Sequence, residues 1–129
     1  MNPQTPEKAV DLYKKIVLGT RKVRKSKIVI APPFVFLSLL RKIGGFELGA
    51  QDVFWEQDGA YTGEVSARML KSSGASYVIV GHSERREVLG ESDEFINKKV
   101  KAALKSGLKT VLCVGERDIN DSNFQNFIK

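Results

Sequence analysis

The sequence has little cysteine, little histidine and no long apolar run. Of its 129 residues, one is cysteine and one is histidine. The lone cysteine, Cys113, excludes an intrachain disulfide and is typical of a reducing compartment, so we expect a cytoplasmic location. The most apolar stretch, residues 28–40, contains two prolines, whereas a membrane-spanning helix needs about 20 apolar residues. The first six residues lack an apolar signal region, and we therefore expect neither secretion nor a membrane partner.

The excess of positive charge is confined to the amino-terminal end. The chain has 21 Lys and Arg against 15 Asp and Glu, a net charge of +6. Residues 1–27 contain eight basic and two acidic side chains, whereas residues 28–129 contain thirteen of each. A basic cluster can bind nucleic acid, but no aromatic platform or groove-reading motif accompanies this one. We therefore interpret it as a solvated surface and expect no nucleic-acid partner.

Apolar patterning predicts four helices that alternate with four strands. The predicted strands are residues 28–31, 46–50, 77–80 and 110–114. The predicted helices span residues 5–19, 35–43, 66–71 and 92–106, and the last one has an apolar stripe of Ile96, Val100, Ala103 and Leu104. Residues 51–65 show no period and are predicted to form a long loop. Alternating helices and strands imply parallel pairing with right-handed crossovers.

The only histidine lies where chemistry concentrates in parallel α/β folds. The predicted strand 77–80 runs directly into the segment Gly-His-Ser-Glu-Arg-Arg at residues 81–86. Active groups in such folds cluster just beyond the carboxyl ends of the strands. A lone histidine can be structural, but His82 at this position, beside a serine, a glutamate and two arginines, is a candidate functional residue.

Several motifs, in the same order along the chain, resemble the triosephosphate isomerase family. Residues 77–86 resemble the signature of that family's fourth strand. Residues 30–33 and 49–52 resemble the ends of its second and third strands, residues 59–66 its third loop, and residues 110–116 its fifth strand. The resemblance implies an α/β fold, a partial TIM (β/α)8 barrel with about four parallel strands and flanking helices. We expect this domain to span residues 1–116 and a divergent polar tail to span 117–129.

The resemblance also implies an activity. The family interconverts glyceraldehyde 3-phosphate and dihydroxyacetone phosphate in glycolysis and gluconeogenesis, and no metal or organic cofactor is implied. A carboxylate base removes a proton beside the carbonyl, and a neutral histidine at a helix N-terminus stabilises the enediolate oxygen; this family is itself the standard example of that arrangement. His82 matches the histidine, and we expect it to be the catalytic electrophile.

The resemblance also predicts that much of the barrel is absent from this chain. Such barrels need about 250 residues. By the family's pattern, strand one with its lysine is missing, as are strands six to eight with the glutamate base, the lid and the phosphate-binding amides. No other carboxylate follows the pattern of the base. We therefore expect the chain alone to have negligible isomerase activity.

Three further residues near His82 are candidates with open alternatives. Glu84 and Ser83 are supporting candidates, because the family residue that matches Glu84 supports the active-site lysine. The alternative for Glu84 is a salt bridge with Arg85 or Arg86. Cys113 resembles a buried family cysteine near the active site, and the alternative, which we favour, is a small core residue.

The loop at residues 51–65 resembles the arm with which each subunit of the family homodimer contacts its partner. Candidate residues for this dimer loop are Gln51, Trp55, Tyr61, Thr62, Glu64 and Arg85. Aromatic residues often anchor interfaces, but Phe54, Trp55 and Tyr61 could instead fold back on their own barrel.

A second hypothesis for the chain is a non-catalytic fragment or self-associating half-barrel module. In this hypothesis strands 28–31 and 110–114 are open sheet edges that invite pairing with another chain.

Overall fold

The structure is a computed structural model that describes residues 1–115, and it shows a parallel sheet flanked by helices. The helices are α1 (Pro6–Thr20), α2 (Leu37–Ile43), α3 (Ala67–Ser72), α4 (Ser83–Val88) and α5 (Asp93–Lys105), and a 3-10 helix spans Phe34–Phe36. The strands are β1 (Val29–Ile30), β2 (Glu47–Ala50), β3 (Ala75–Val80) and β4 (Lys109–Leu112). The predicted α/β fold with four parallel strands is confirmed. The predicted tail, 117–129, lies outside the described residues.

The strands lie side by side in their order along the chain. All three pairings, β1 with β2, β2 with β3 and β3 with β4, are parallel. The two ends of the sheet are therefore β1 and β4, which are the strands predicted to be edges. Because all strands run the same way, their carboxyl ends lie at one end of the sheet, and residues 51–54, 81–82 and 113–115 follow them there.

The core lies between the sheet and its helices. Val78 and Val80 of β3 are fully buried, whereas Ile79 between them lines an open cavity, as the alternation of a strand requires. From the helices, Tyr13 of α1 and Leu40 of α2 are also fully buried. Burial of each such side chain contributes about 1.5–3 kcal/mol. No helix in the described part of the chain is long and apolar enough to cross a membrane.

One helix was not predicted. Residues 83–88 form α4, which is not among the four helices that apolar patterning predicts. None of the α4 residues is buried, so the apolar period that predicts a helix is missing. The helix is held instead by its cap, His82, and by ion pairs of Arg85 and Arg86 with residues beyond its end.

One predicted apolar position and several element ends are wrong. The segment predicted as a helix over residues 35–43 begins as a 3-10 helix, in which Phe36 is buried and Val35 is exposed. Leu104 of α5 is also exposed, and the buried face of α5 carries Ile96, Lys99 and Ala103. The edge strands are shorter than predicted: β1 has two residues and β4 ends at Leu112.

Candidate active site

An open cavity of about 600 Å³ lies over the carboxyl ends of β1, β2 and β3. Its lining includes Ala31 after β1, Gln51 after β2 and His82 after β3. Glu84 and Arg85 from α4 complete that side of the cavity. The fold therefore brings the sequence-predicted residues His82 and Glu84 to the cavity rim.

His82 caps the amino-terminal end of α4. Its Nδ1 accepts a hydrogen bond from the backbone N–H of Glu84 over 3.3 Å. Because Nδ1 accepts, a neutral imidazole in this geometry carries its proton on Nε2. The side chain is 45% exposed, so Nε2–H is available to donate to a ligand oxygen.

The turn before His82 depends on glycine. Gly81 has a φ of +77°, a conformation that other residues adopt only with strain. A Cβ at this position would lie 3.3 Å from Cγ2 of Ile96 and 3.4 Å from the carbonyl oxygen of Cys113. Arg86 reaches back, and its Nε donates to the Gly81 carbonyl over 3.0 Å. These contacts fix the direction in which the chain leaves β3 and thus the position of His82.

Glu84 and Ser83 are both exposed. The Glu84 carboxylate lies 3.8 Å from Nδ1 of His82 and is 84% exposed. The alternative of a salt bridge with Arg85 or Arg86 is wrong, because those arginines bind other carboxylates. Among residues 1–115, no arginine or lysine is paired with Glu84, and its carboxylate at the cavity rim can accept a hydrogen bond from a cation.

Gln51 connects the strand ends beneath the cavity. Its Nε2 donates to the carbonyl oxygens of Met1, over 2.8 Å, and Ala31, over 3.0 Å. The side chain thus holds the amino terminus and the end of β1 against the end of β2. Predicted as a dimer-loop residue, Gln51 makes these contacts within its own chain.

Four charged residues, of which three are buried, form a cluster beside the site that we call the ion quartet: Asp52, Arg85, Glu91 and Lys99. Nζ of Lys99 lies 2.8 Å from both carboxylate oxygens of Asp52 and also contacts Glu91. Arg85 donates to Glu91 over 2.7 Å and lies 2.9 Å from Asp52. The side chains of Asp52, Glu91 and Lys99 are each more than nine-tenths buried. The quartet ties α4 and α5 to the end of β2.

Burial acts in the same direction on both carboxyl groups of the quartet, but their net pKa shifts are opposite. Burial raises the pKa of Asp52, and the bonds from Lys99 only partly oppose this effect. Burial also acts to raise the pKa of Glu91, but the hydrogen bonds from Lys99 and Arg85 outweigh it, and the pKa is lowered. Oε2 of Glu91 is buried without a hydrogen-bond partner among the described residues.

The sequence reasoning missed the quartet, although one signal was present. Lys99 lies three residues after Ile96 and four before Ala103, on the apolar face of α5. A lysine at such a position needs a buried partner, because an isolated buried charge is costly. Its main partner, Asp52, is 47 residues away, and only the fold brings the two together.

The aromatic residues of the loop contact one another and α5 of their own chain. The ring centres of Phe54 and Trp55 are 4.2 Å apart, and those of Phe54 and Tyr61 are 4.8 Å apart. Trp55 also packs on Phe95 of α5, at 5.1 Å. Tyr61 is nevertheless 44% exposed, and an interface role for these aromatic residues stays a prediction.

The remaining dimer-loop candidates differ in exposure. Thr62 and Glu64 are exposed at the loop tip. Arg85 is occupied by Asp52 and Glu91 of its own chain. A dimer contact through any of them stays a prediction.

Cys113 is half-buried rather than a fully buried core residue. Its backbone N–H donates to the Val80 carbonyl over 2.9 Å, so the pairing of β4 with β3 continues to this position. Within residues 1–115, no group of three His, Cys, Asp or Glu side chains is placed to hold a metal ion.

The described residues define the class of parallel α/β proteins, with candidate polar residues at the carboxyl ends of the strands, where such folds place their active sites. Comparison with known proteins identifies the family: the model of "Triosephosphate isomerase" matches residues 1–128. The chain belongs to the triosephosphate isomerase family.

Individual relatives agree with this assignment. Triosephosphate isomerase of Thermoanaerobacter pseudethanolicus is 49% identical over 115 residues, which cover 87% of this chain and 46% of that protein. That of Trichodesmium erythraeum is 52% identical over 100 residues, 75% of this chain and 42% of that protein. The crystal structure of triosephosphate isomerase from Bartonella henselae is similar with a TM-score of 0.81 and 40% identity, over 89% of this chain and 50% of that one. The chain thus spans about half the length of the relatives it matches.

Proposed function

We propose that this chain supplies the electrophilic half of a triosephosphate isomerase active site. The observation that carries the proposal is the geometry of His82, whose Nδ1 accepts from the backbone of α4 at the cavity. The Nε2–H can then donate to the carbonyl oxygen of a triose phosphate and stabilise the enediolate that forms. Such a donor needs no metal or organic cofactor.

The other half of the reaction needs groups from outside the described residues. Isomerisation requires a base that removes the proton beside the carbonyl, and the only acidic residue that lines the described cavity is Glu84. Its exposed carboxylate is suited to hold a catalytic lysine rather than to act as the base. Asp52 and Glu91 are bound to cations in the ion quartet.

The setting of this activity is also a proposal. Membership of the family supports glyceraldehyde 3-phosphate and dihydroxyacetone phosphate as the substrates, a homodimer as the working assembly and the cytoplasm as the location. Thr62 and Glu64 at the exposed loop tip are the residues best placed for the dimer contact.

A chimera tests the proposed role of His82. Residues 1–115 would replace the matching segment of the Thermoanaerobacter relative, which is 49% identical over 115 residues. We expect the chimera to isomerise glyceraldehyde 3-phosphate, and His82→Gln to lower kcat by about 10²–10³-fold, as removal of an oxyanion donor does.

The control is Val88→Ala, an exposed position on the same helix, which should leave kcat unchanged. A chimera that turns over substrate equally well with and without His82 would contradict the proposal.

A further inference from the structure

Helix α4 carries His82 at its start, yet apolar packing does not hold this helix in place. None of its six residues, Ser83–Val88, is buried. Because a short helix has little stability of its own and burial of an apolar face is what usually fixes it, α4 needs another attachment. The position of His82 depends on that attachment, since Nδ1 of its ring bonds to the first turn of α4.

Arg85 attaches α4 to buried partners. Its Nε donates to Glu91 over 2.7 Å, and its Nη2 lies 2.9 Å from a carboxylate oxygen of Asp52. Both carboxyl groups are more than nine-tenths buried, and Lys99 holds them from the other side. One arginine can bind two carboxylates because its guanidinium presents its donors in a rigid fork. The Arg85 side chain therefore ties α4 to the end of β2 and to the segment before α5.

The other arginine of α4 has less secure partners. Nε of Arg86 donates to the Gly81 carbonyl, and its Nη1 lies 2.6 Å from Asp93. The bond to Gly81 acts within the turn that contains His82, and the Asp93 side chain is 89% exposed. Exposed ion pairs contribute little, because water and salt screen them. Of the two arginines, Arg85 is thus the one bound to buried groups.

The main chain of Arg85 connects this attachment to His82. The Arg85 N–H donates to the His82 carbonyl over 3.0 Å. The preceding residue, Glu84, supplies the N–H that Nδ1 of His82 accepts over 3.3 Å. That distance exceeds the roughly 2.7–3.2 Å of an ordinary N–H hydrogen bond, so the bond depends on where the first turn of α4 is held.

We propose that Arg85 is a positioning residue for His82. Bound to two buried carboxylates, Arg85 holds the first turn of α4 where the Glu84 N–H meets Nδ1, and the neutral ring keeps its proton on Nε2. The inference rests on the proposed role of His82 as electrophile and deepens it. Arg85 lines the cavity, but the two carboxylates occupy its guanidinium, so it acts through His82 rather than on the substrate.

Two double variants separate positioning from stability. The ion quartet has two positive and two negative groups, so the loss of one of each leaves a neutral pair. The detached variant, Asp52→Asn with Arg85→Met, removes the attachment of α4. The attached variant, Asp52→Asn with Lys99→Met, keeps it through Glu91. Both lose one cation and the same carboxylate, so a general loss of stability affects them alike.

Nitrogen NMR of the His82 ring in the intact chain, at a pH where the ring is neutral, shows where its proton lies. The wild type and the attached variant should show Nε2–H alone. The detached variant should also show the tautomer with the proton on Nδ1, because Nδ1 has lost its backbone donor. Nε2–H alone in the detached variant, or the same mixture in both variants, would overturn the proposal.

Kinetics of the chimera test the same inference without requiring the variant chain to fold by itself. Arg85→Met should lower kcat by up to about 10²-fold with KM nearly unchanged, as a small displacement of a catalytic group does. Arg85→Lys should restore only part of kcat, because an ammonium group lacks the fork that binds both carboxylates. The exposed Val88→Ala should leave kcat unchanged.

Two kinetic results would contradict a positioning role. A raised KM at constant kcat would show that Arg85 binds the substrate itself. A loss of kcat that is recovered at higher enzyme concentration would show that Arg85 makes a dimer contact.

Failure of the proposed function has a different signature. If His82 is not the electrophile, His82→Gln leaves kcat of the chimera unchanged, while the tautomers of the detached and attached variants still differ. If Arg85 does not position His82, His82→Gln lowers kcat, but the detached variant keeps Nε2–H alone.

Discussion

Replacement of Lys99 by methionine is expected to lower the free energy of unfolding by about 3–5 kcal/mol, the cost of breaking a buried ion pair from one side. The ammonium group contacts both Asp52 and Glu91, and the three side chains are almost fully buried. Without it, two carboxylates would share Arg85 alone. Protonation of Asp52, whose pKa burial already raises, would relieve part of the cost at low pH.

Urea unfolding measures this effect, with the fluorescence of the only tryptophan, Trp55, as the signal. Lys101→Met is the matched control, because Lys101 is a nearby lysine on α5 and is exposed. We expect it to change stability by less than about 0.5 kcal/mol. A similarly small loss for Lys99→Met would show that the ion quartet does not stabilise the fold.

The chain alone is expected to isomerise triose phosphates at least about 10³-fold more slowly than an intact family enzyme. General-base catalysis contributes about 10²–10⁴-fold, and the described cavity has no carboxylate suited to the role. An assay with glyceraldehyde 3-phosphate measures the rate, and His82→Ala should leave any residual turnover unchanged. Turnover within a few-fold of an ordinary isomerase, lost on His82→Ala, would contradict this expectation.

The position of His82 was predictable from the sequence for a simple physical reason. The apolar run before it, at residues 77–80, is typical of a strand buried among its neighbours, and β3 contains it. In a parallel sheet the residues that follow such a strand must lie at the catalytic end. Strand order and edges followed equally directly, since consecutive strands joined by helices become neighbours.

The contacts that hold His82 in position could not be predicted from the sequence. Helix α4 is short and polar, and its stability comes from the His82 cap and from Arg85 and Arg86. Those arginines pair with Glu91 and Asp93, and no local sequence pattern predicts these pairs. The pairing of Asp52 with Lys99 likewise joins residues from distant parts of the chain. Local periodicity reports burial on one element, whereas these contacts depend on how several elements pack.

The most direct measurement of the role proposed for His82 is nitrogen NMR of its imidazole in the intact chain. Because His82 is the only histidine, the spectrum contains one imidazole and needs no assignment. For the neutral ring we predict a proton on Nε2 and a bare Nδ1 that accepts from the backbone of Glu84. A neutral ring with its proton on Nδ1 would leave no donor for the substrate oxygen and would contradict the proposed electrophile.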